Sequence, residues 1–214
     1  MSTETNLPWI ISPPENYNVL RNGAGYPYFV HKLATITNLT EVGKYSYIHG
    51  KTRFNGTKEI KIGNFCSIAN DVRIQVGDEH DYKHISTFPF ETILGMDDLS
   101  YPDERGDGVI IGNDVWIGEG ARILSGAIIG DGVVIGAGCV VRGTLEPYGV
   151  YTGNPIAFRR KRCDQNVIEK LQEIKWWDWE LEKIQSNSAF FSITLAELGE
   201  MSMTEIIKII KDNF

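Results

Sequence analysis

The chain has 214 residues, 42% of them hydrophobic and 23% charged, which is the ordinary composition of a folded globular domain. Its net charge of −7 argues against a nucleic-acid partner, because proteins that bind nucleic acid usually carry a basic excess. No apolar run approaches the roughly 20 residues that span a bilayer, and the first residues do not resemble a signal peptide. We therefore expect a cytoplasmic protein that binds no membrane, with its three widely spaced cysteines reduced.

The chain begins with a segment that is rich in proline and aromatic residues. Residues 1–29 contain four prolines and several aromatic residues. Because proline disfavours the interior of helices and of central strands, the sequence predicts an irregular lead-in over this range.

From about residue 30 an apolar residue recurs at every sixth position. The series is clearest at Ile111, Ile117, Ile123, Ile129, Ile135 and Val141. Four places after these positions lie small or β-branched residues, namely Val115, Ala121, Ala127, Val133 and Cys139. The same step of six occurs upstream at Val42 and Ile48, and again at Ile62, Ile68 and Ile74.

A period of six matches neither the 3.6 of a helix nor the 2 of a pleated strand. It fits a parallel β-helix, in which each hexapeptide forms one side of a three-sided coil and points its apolar residue inward. Glycines and Asn-Asp pairs supply the tight turns, since positive φ is cheap for glycine and tolerable for Asn or Asp. A β-sandwich with glycine-rich hairpins is the alternative, but its loops would not keep a step of six through so many repeats.

Two interruptions break the repeat. Two extra residues lie between Arg53 and Ile62, and a long excursion runs from about residue 77 to residue 108. We expect the β-helix to span residues 30–160, with the excursion projecting from it.

Residues 161–214 show helical spacing instead. Apolar residues recur at Val167, Ile168, Leu171 and Ile174, next to Lys175. The cluster that follows, Trp176, Trp177 and Trp179, is interpreted as packing. A second amphipathic helix is predicted from Thr194 or Ala196 to Ile210. Both helices are expected to cap the open end of the coil, which would otherwise expose unpaired backbone.

Four motifs, together with the hexapeptide core, are similar to the xenobiotic acetyltransferase family. They are DEHDYKHISTFPF (78–90), IGNDVWIG (111–118), GNPIAFRRKR (153–162) and IKWWDW (174–179). This family is the branch of left-handed β-helix acyltransferases that includes streptogramin and type B chloramphenicol acetyltransferases, and the resemblance covers roughly residues 30 to 185. It implies an all-β, left-handed β-helix with a helical C-terminus, in a homotrimer that moves an acetyl group from acetyl-CoA to an acceptor hydroxyl. It also implies that the excursion of one chain reaches its neighbour.

An acceptor alcohol needs a base that takes its proton as it attacks a thioester, and a neutral histidine is suited to this role. His31 and His49 lie within repeats and are interpreted as surface residues. His80 lies in the excursion where the family's base is found, so the resemblance implies that it is the general base. His84 either lines the acceptor pocket or is an ordinary loop residue. The group that orients His80 stays open among Glu79, Asp81 and backbone carbonyls.

The resemblance also implies a groove for acetyl-CoA along the corners of the coil, where small residues let the pantetheine arm approach the backbone. The matching positions are Trp116, Gly118, Glu119, Ala137, Arg142, Gly143 and Arg160. Arg160 belongs to a basic run in an acidic chain and is the position that matches the family's phosphate contact. A basic surface turn is the simpler interpretation of that run.

Three alternatives remain open from the sequence. An acceptor amine would need a similar base, so N-acetylation of an amino sugar is the closest alternative to O-acetylation of an antibiotic or saccharide. A γ-class carbonic anhydrase would need three histidine ligands for zinc, and only His80 and His84 are close in sequence, so no metal site is predicted. A non-catalytic β-helix scaffold is the third, since fold alone does not determine chemistry.

Overall fold

The computed structural model describes residues 13–77, 80, 83–96 and 107–211. Most of this chain forms three sheets, whose strands we number β1–β17 in chain order. Sheet A contains β1 Tyr17–Arg21, β2 Pro27–His31, β4 Tyr47–Ile48, β7 Ser67–Ile68, β10 Trp116–Ile117, β13 Val134–Ile135, β16 Gly149–Thr152 and β17 Ala157–Lys161. Sheet B contains β5 Arg53–Gly56, β8 Arg73–Val76, β11 Arg122–Leu124 and β14 Val140–Val141. Sheet C contains β3 Thr40–Val42, β6 Ile60–Ile62, β9 Val109–Ile111, β12 Ile128–Ile129 and β15 Thr144–Leu145.

The chain visits sheets C, A and B in turn, so that each circuit forms one coil of a three-sided prism. Successive coils pair in parallel and in register: Ile111 lies beside Ile129 in sheet C, and Ile117 beside Ile135 in sheet A. The residues predicted to point inward from Ile111 to Val141 are all at most 2% exposed, and the small residues between them are at most 1% exposed. The structure therefore confirms the predicted parallel β-helix.

Each corner of the prism contains residues in the left-handed backbone region. The corner between sheets C and A, which we call corner CA, has Tyr45, Phe65, Asp114, Gly132 and Tyr148 there. Corner AB has Lys51, Asp71, Gly120 and Gly138. Corner BC has only glycines, namely Gly56, Gly77, Gly126 and Gly143. Both predicted interruptions of the repeat fall at corner BC, and the long excursion leaves the prism there after Val76.

The described part of the excursion is exposed. Its one helix, α1 (Phe90–Leu94), contains no buried residue. The large apolar side chains Ile85, Phe88, Ile93, Leu94 and Met96 are all exposed. The described part of the excursion is therefore not packed into the core of the prism.

The start of the described chain is more regular than the sequence predicted. Strands β1 and β2 form an antiparallel hairpin, whereas an irregular lead-in was expected over residues 1–29. The Asn22 side chain accepts hydrogen bonds from the backbone of Ala24 and Tyr26 and so shapes the turn. Pro27 is tolerated because it is the first residue of its strand.

The helical C-terminus lies along corner CA, whereas the sequence predicted that it would cap the coil's end. Its elements are α2 Gln165–Ile174, a 3-10 turn at Trp176–Asp178, α3 Leu181–Ser186, α4 Ser188–Phe191, α5 Leu195–Glu200 and α6 Met203–Ile209. The buried ammonium of Lys44, on an early coil, donates to the carbonyls of Asp178 (2.9 Å) and Trp179 (2.8 Å). Tyr148, on the last coil, joins the helices' own apolar cluster. Within the described residues, no helix could cross a bilayer.

The tryptophan cluster and the last helical segment can both be compared with their predictions. Trp177 and Trp179 are buried and Trp176 packs against the same cluster, which confirms their interpretation as packing residues. The single helix predicted up to Ile210 is wrong, because α5 and α6 are separate. Each begins with its own capping box, Thr194 with Glu197 and Ser202 with Glu205.

Candidate active site

His80 is an exposed histidine held in one orientation by the excursion itself. Its Nδ1 atom lies 2.7 Å from the carbonyl oxygen of Thr87. A carbonyl can only accept a hydrogen bond, so Nδ1 carries the proton. In the neutral ring Nε2 then has a free lone pair, which is the form that a general base requires. The sequence left open Glu79, Asp81 and backbone carbonyls as the orienting group. The structure shows the Thr87 carbonyl bonded to Nδ1, and Glu79 and Asp81 lie outside the described residues.

The root of the excursion is fixed to the prism. The backbone N–H of Gly77 donates to Ser125 Oγ (3.2 Å) on the next coil, and Thr57 Oγ1 donates to the Gly77 carbonyl (3.4 Å) on the previous one. His80 follows Gly77 by three residues. The Cα atom of His80 therefore lies within about 11 Å of the Cα atom of Gly77 at corner BC.

The other histidines occupy different surroundings. His84 is exposed on the same excursion. His31 and His49 were interpreted as surface residues, but they are half-buried on sheet A. Their rings stack with centroids 6.2 Å apart, and Tyr17 packs edge-on against both. They belong to the packing beside the N-terminal hairpin, on a different sheet from the root of the excursion.

Four of the residues predicted for the cofactor lie together at corner AB. Trp116 is 56% exposed on the outer face of sheet A, two residues before Gly118. Glu119 and Ala137 are exposed on consecutive coils of the same corner, and the Glu119 carbonyl accepts from Gly138 N (2.8 Å). A Cβ atom at Gly118 would lie 2.6 Å from the backbone nitrogen of Ala137. Stacking of the coils is therefore sufficient reason for glycine at position 118.

The remaining predicted residues lie elsewhere. Arg142 and Gly143 are exposed at corner BC, across sheet B from Ala137. Arg160 is exposed on β17, where it pairs with Val150 at the last coil of sheet A. Among the described residues, its guanidinium donates to the neighbouring Lys161 carbonyl (3.2 Å).

The rest of the basic run has structural partners. Lys161 donates to the Pro147 carbonyl (2.8 Å), and Arg162 donates to Asp114 and to the Gly132 carbonyl, both at 2.9 Å. Arg159 donates to the Thr152 hydroxyl at 2.6 Å. Of the four cations in this run, Arg160 is therefore the one whose described contacts bind it least to the rest of the fold.

The outer surface of sheet B, which we call face B, lies between corners AB and BC. Its described side chains are Arg53, Asn55, Arg73, Gln75, Arg122, Leu124 and Val140. This surface contains no acidic side chain on its strands. None of these residues was predicted from the sequence to belong to a site.

Metal-ligating side chains and thiols are two further groups to consider. Among the described residues, no group of three His, Cys, Asp or Glu side chains is placed to hold a metal ion. Burial raises the pKa of the Cys66 thiol to about 12, so it stays protonated at neutral pH and is a poor nucleophile. The described residues thus offer an oriented imidazole on an exposed arm that leaves corner BC, and exposed backbone at corners AB and BC.

Comparison with known proteins places this arrangement in context. A family model of the bacterial transferase hexapeptide (six repeats) matches residues 108–143. The chain is 41% identical over 149 residues to a probable macrolide acetyltransferase from Lysinibacillus sphaericus, covering 67% of this chain and 82% of that protein. It is 38% identical over 166 residues to a chloramphenicol acetyltransferase from Agrobacterium fabrum, covering 68% and 78% respectively.

A solved structure shares the fold. It is a hexapeptide-repeat-containing acetyltransferase from Vibrio cholerae, with a TM-score of 0.53 and 20% identity. The similarity covers 63% of this chain and 70% of that one. At this identity the likeness supports the β-helix architecture and nothing more.

Proposed function

The chain belongs to the xenobiotic acetyltransferase family of hexapeptide-repeat acyltransferases, and on this premise we propose that it moves an acetyl group from acetyl-CoA to a hydroxyl of a small acceptor. The acceptor is an antibiotic, the class named for the relatives, or a saccharide, the other class expected from the sequence. His80 is the general base. The observation that carries this assignment is the hydrogen bond from His80 Nδ1 to the Thr87 carbonyl, which leaves Nε2 as the basic atom.

In this mechanism the acceptor hydroxyl gives its proton to His80 Nε2 while its oxygen attacks the thioester carbonyl. The tetrahedral intermediate needs hydrogen-bond donors for its oxyanion, and the Ser86–Thr87 segment and the turn at Gly118 are the candidates. When the carbon–sulfur bond breaks, the imidazolium returns the proton to the leaving thiolate. The Thr87 carbonyl stabilises the imidazolium throughout, because it accepts from Nδ1 in both protonation states.

The proposed groove for acetyl-CoA follows corners AB and BC of the prism. Cβ atoms built at Gly138 and Gly143 would meet no atom within 4 Å, so the backbone at both corners is open to a narrow chain such as pantetheine. Trp116, Gly118, Glu119 and Ala137 would border the arm at corner AB, and Arg142 and Gly143 at corner BC. Arg160 would bind a phosphate of the adenosine end, since its guanidinium is exposed and lightly engaged.

The proposed active unit is a homotrimer in which the excursion reaches a neighbouring subunit. The exposed apolar side chains of the excursion support this arrangement, because a group of them in water is unfavourable unless another surface covers it. Closed cyclic symmetry is the usual form of such assemblies. His84, on the same arm, would then face the acceptor.

Acetyl-CoA-dependent thiol release in the presence of chloramphenicol, a macrolide, a virginiamycin, glucose and glucosamine would test the proposal. We expect turnover with at least one acceptor, and a loss of about 100-fold or more in His80→Ala. Mass spectrometry of the product would distinguish an ester from an amide. Turnover that is unchanged in His80→Ala would assign the base to another residue, and no turnover with any acceptor would contradict the proposal.

A further inference from the structure

Face B presents three arginines in one register. Arg53, Arg73 and Arg122 stand on the adjacent strands β5, β8 and β11, each directly opposite the next. All three point outward, because the residue after each is a buried core residue. With strands about 4.8 Å apart, the row extends over about 10 Å.

Such a row is unfavourable by itself. Like charges directly opposite each other on neighbouring strands destabilise a sheet, and the chain as a whole carries an excess of acid. The one described acidic partner is Asp71, 3.6 Å from Arg73. Arg73 Nε is also buried without a hydrogen-bond partner among the described residues. An anion on face B would relieve the repulsion among the three guanidinium groups.

A second row runs beside the arginines. Asn55 pairs in register with Gln75, which pairs with Leu124, and both amides are exposed. Side-chain amides both donate and accept, so they suit sugar hydroxyls, whereas guanidinium groups suit carboxylate or phosphate. A neutral apolar antibiotic would use neither row. The two rows together match a molecule that carries hydroxyl groups and negative charge within about 10 Å.

Face B is also placed to serve the reaction. Corner AB, with Ala137, borders it on one side, and corner BC, with Gly143 and the root of the excursion at Gly77, borders it on the other. An acceptor on face B would therefore lie between the two proposed cofactor corners, next to the corner from which the excursion leaves.

We propose that face B is the acceptor site, and that the acceptor is an acidic saccharide whose carboxylate or phosphate binds Arg53, Arg73 and Arg122. This inference rests on the proposed function. It adds the substrate class and assigns the three arginines as specificity-determining residues.

The test uses matched acceptors that differ only in charge: glucuronic acid and glucose 6-phosphate against glucose, and galacturonic acid against galactose. We expect kcat/KM to be at least about tenfold higher for the charged members. Arg73→Gln and Arg122→Gln should each remove most of this preference by raising the KM for the charged acceptor. Lys61→Gln is the control, because Lys61 is an exposed cation on the outer face of sheet C, paired with Glu59.

Equal activity toward charged and neutral sugars, unchanged in the arginine variants, would overturn the inference and leave the acetyltransferase assignment intact. A higher KM for acetyl-CoA alone would assign the row to the cofactor and overturn it as well. Light scattering would measure the oligomeric state of the arginine variants. The excursion from residue 77 to residue 108 carries nine acidic and two basic residues, so dissociation of the arginine variants would make face B a subunit contact and not an acceptor site.

Discussion

The coil and the excursion are consecutive parts of one chain, yet they are built in opposite ways. In the coil, every sixth side chain is buried against its equivalents on the coils above and below, as Ile117 is between Ile68 and Ile135. In the described part of the excursion, helix α1 buries no residue, and the His80 ring is held by a hydrogen bond to the Thr87 backbone carbonyl. Under the proposed mechanism, stability and chemistry are therefore carried by different residues. Substitutions in one region should leave the other property unchanged.

The largest expected effect comes from breaking the coil. Ile117→Ala would leave a cavity in a column where no side chain can move aside, so we expect the free energy of unfolding to fall by about 2–5 kcal/mol. Urea denaturation would measure it. Ile110→Ala is the matched control, since Ile110 points outward and is 51% exposed; we expect a change within about 0.5 kcal/mol. Equal losses in both variants would mean that the columns do not determine stability.

The second prediction applies the same separation to the excursion. His80→Asn keeps an N–H donor for the Thr87 carbonyl but lacks the basic Nε2 atom, whereas His80→Ala lacks both. We expect both variants to lose about 100-fold or more in kcat and to keep the wild-type melting temperature. Activity preserved in His80→Asn would show that the residue only shapes the loop.

The repeat explains why most of the coil could be predicted from the sequence. Most inward positions of the stacked coil are Ile or Val, so the step of six is visible in the sequence. The turns are less regular, since Tyr45, Phe65 and Tyr148 have positive φ where glycine or Asn-Asp was expected. The arginines of face B show the same regularity, as Thr52-Arg53-Phe54, Val72-Arg73-Ile74 and Ala121-Arg122-Ile123 share one slot of the repeat. Every third hexapeptide lies on the same face of the prism. Aligning the hexapeptides in sets of three would therefore have placed these arginines in one row.

Other features depend on contacts that have no period. The partner of His80 is a carbonyl seven residues further along an irregular loop, and nothing in the letters distinguishes that carbonyl from its neighbours. The position of the helices along corner CA depends on Lys44 reaching carbonyls 134 and 135 residues away. The division between α5 and α6 was predictable, since Ser202 and Glu205 have the spacing of a capping box. The hydrophobic stripe continues from α5 into α6, so the apolar pattern alone predicts one uninterrupted helix.

A smaller effect tests the junction between α5 and α6. Ser202 Oγ accepts from the Glu205 backbone N–H (3.3 Å), and Glu205 accepts from the Ser202 backbone N–H (2.8 Å). We expect Ser202→Ala to lower the free energy of unfolding by about 1 kcal/mol, through loss of the N-cap. Hydrogen exchange should speed up in α6 and stay unchanged in the coil. Thr204→Ala, an exposed change inside α6, should cause no such loss.

The smallest effect lies where the coil meets the helices, at the ion pair of Asp114 with Arg162. Burial raises the pKa of the Asp114 carboxyl, although Arg162 acts in the opposite direction. A carboxyl whose pKa is higher in the folded state binds more protons there than in the unfolded chain, so its contribution to stability falls as pH rises. The fall begins near the ordinary value of 3.8 and ends above the raised value.

Asp114→Asn removes this titration while keeping an oxygen that can accept from Arg162. Across this pH window, the free energy of unfolding of the wild type should therefore decline relative to that of Asp114→Asn as pH rises, as urea denaturation at constant ionic strength would show. A wild type that instead gains stability relative to the variant would mean that the attraction of Arg162 outweighs burial. Corner CA would then be held by charge, in contrast to the apolar columns beside it.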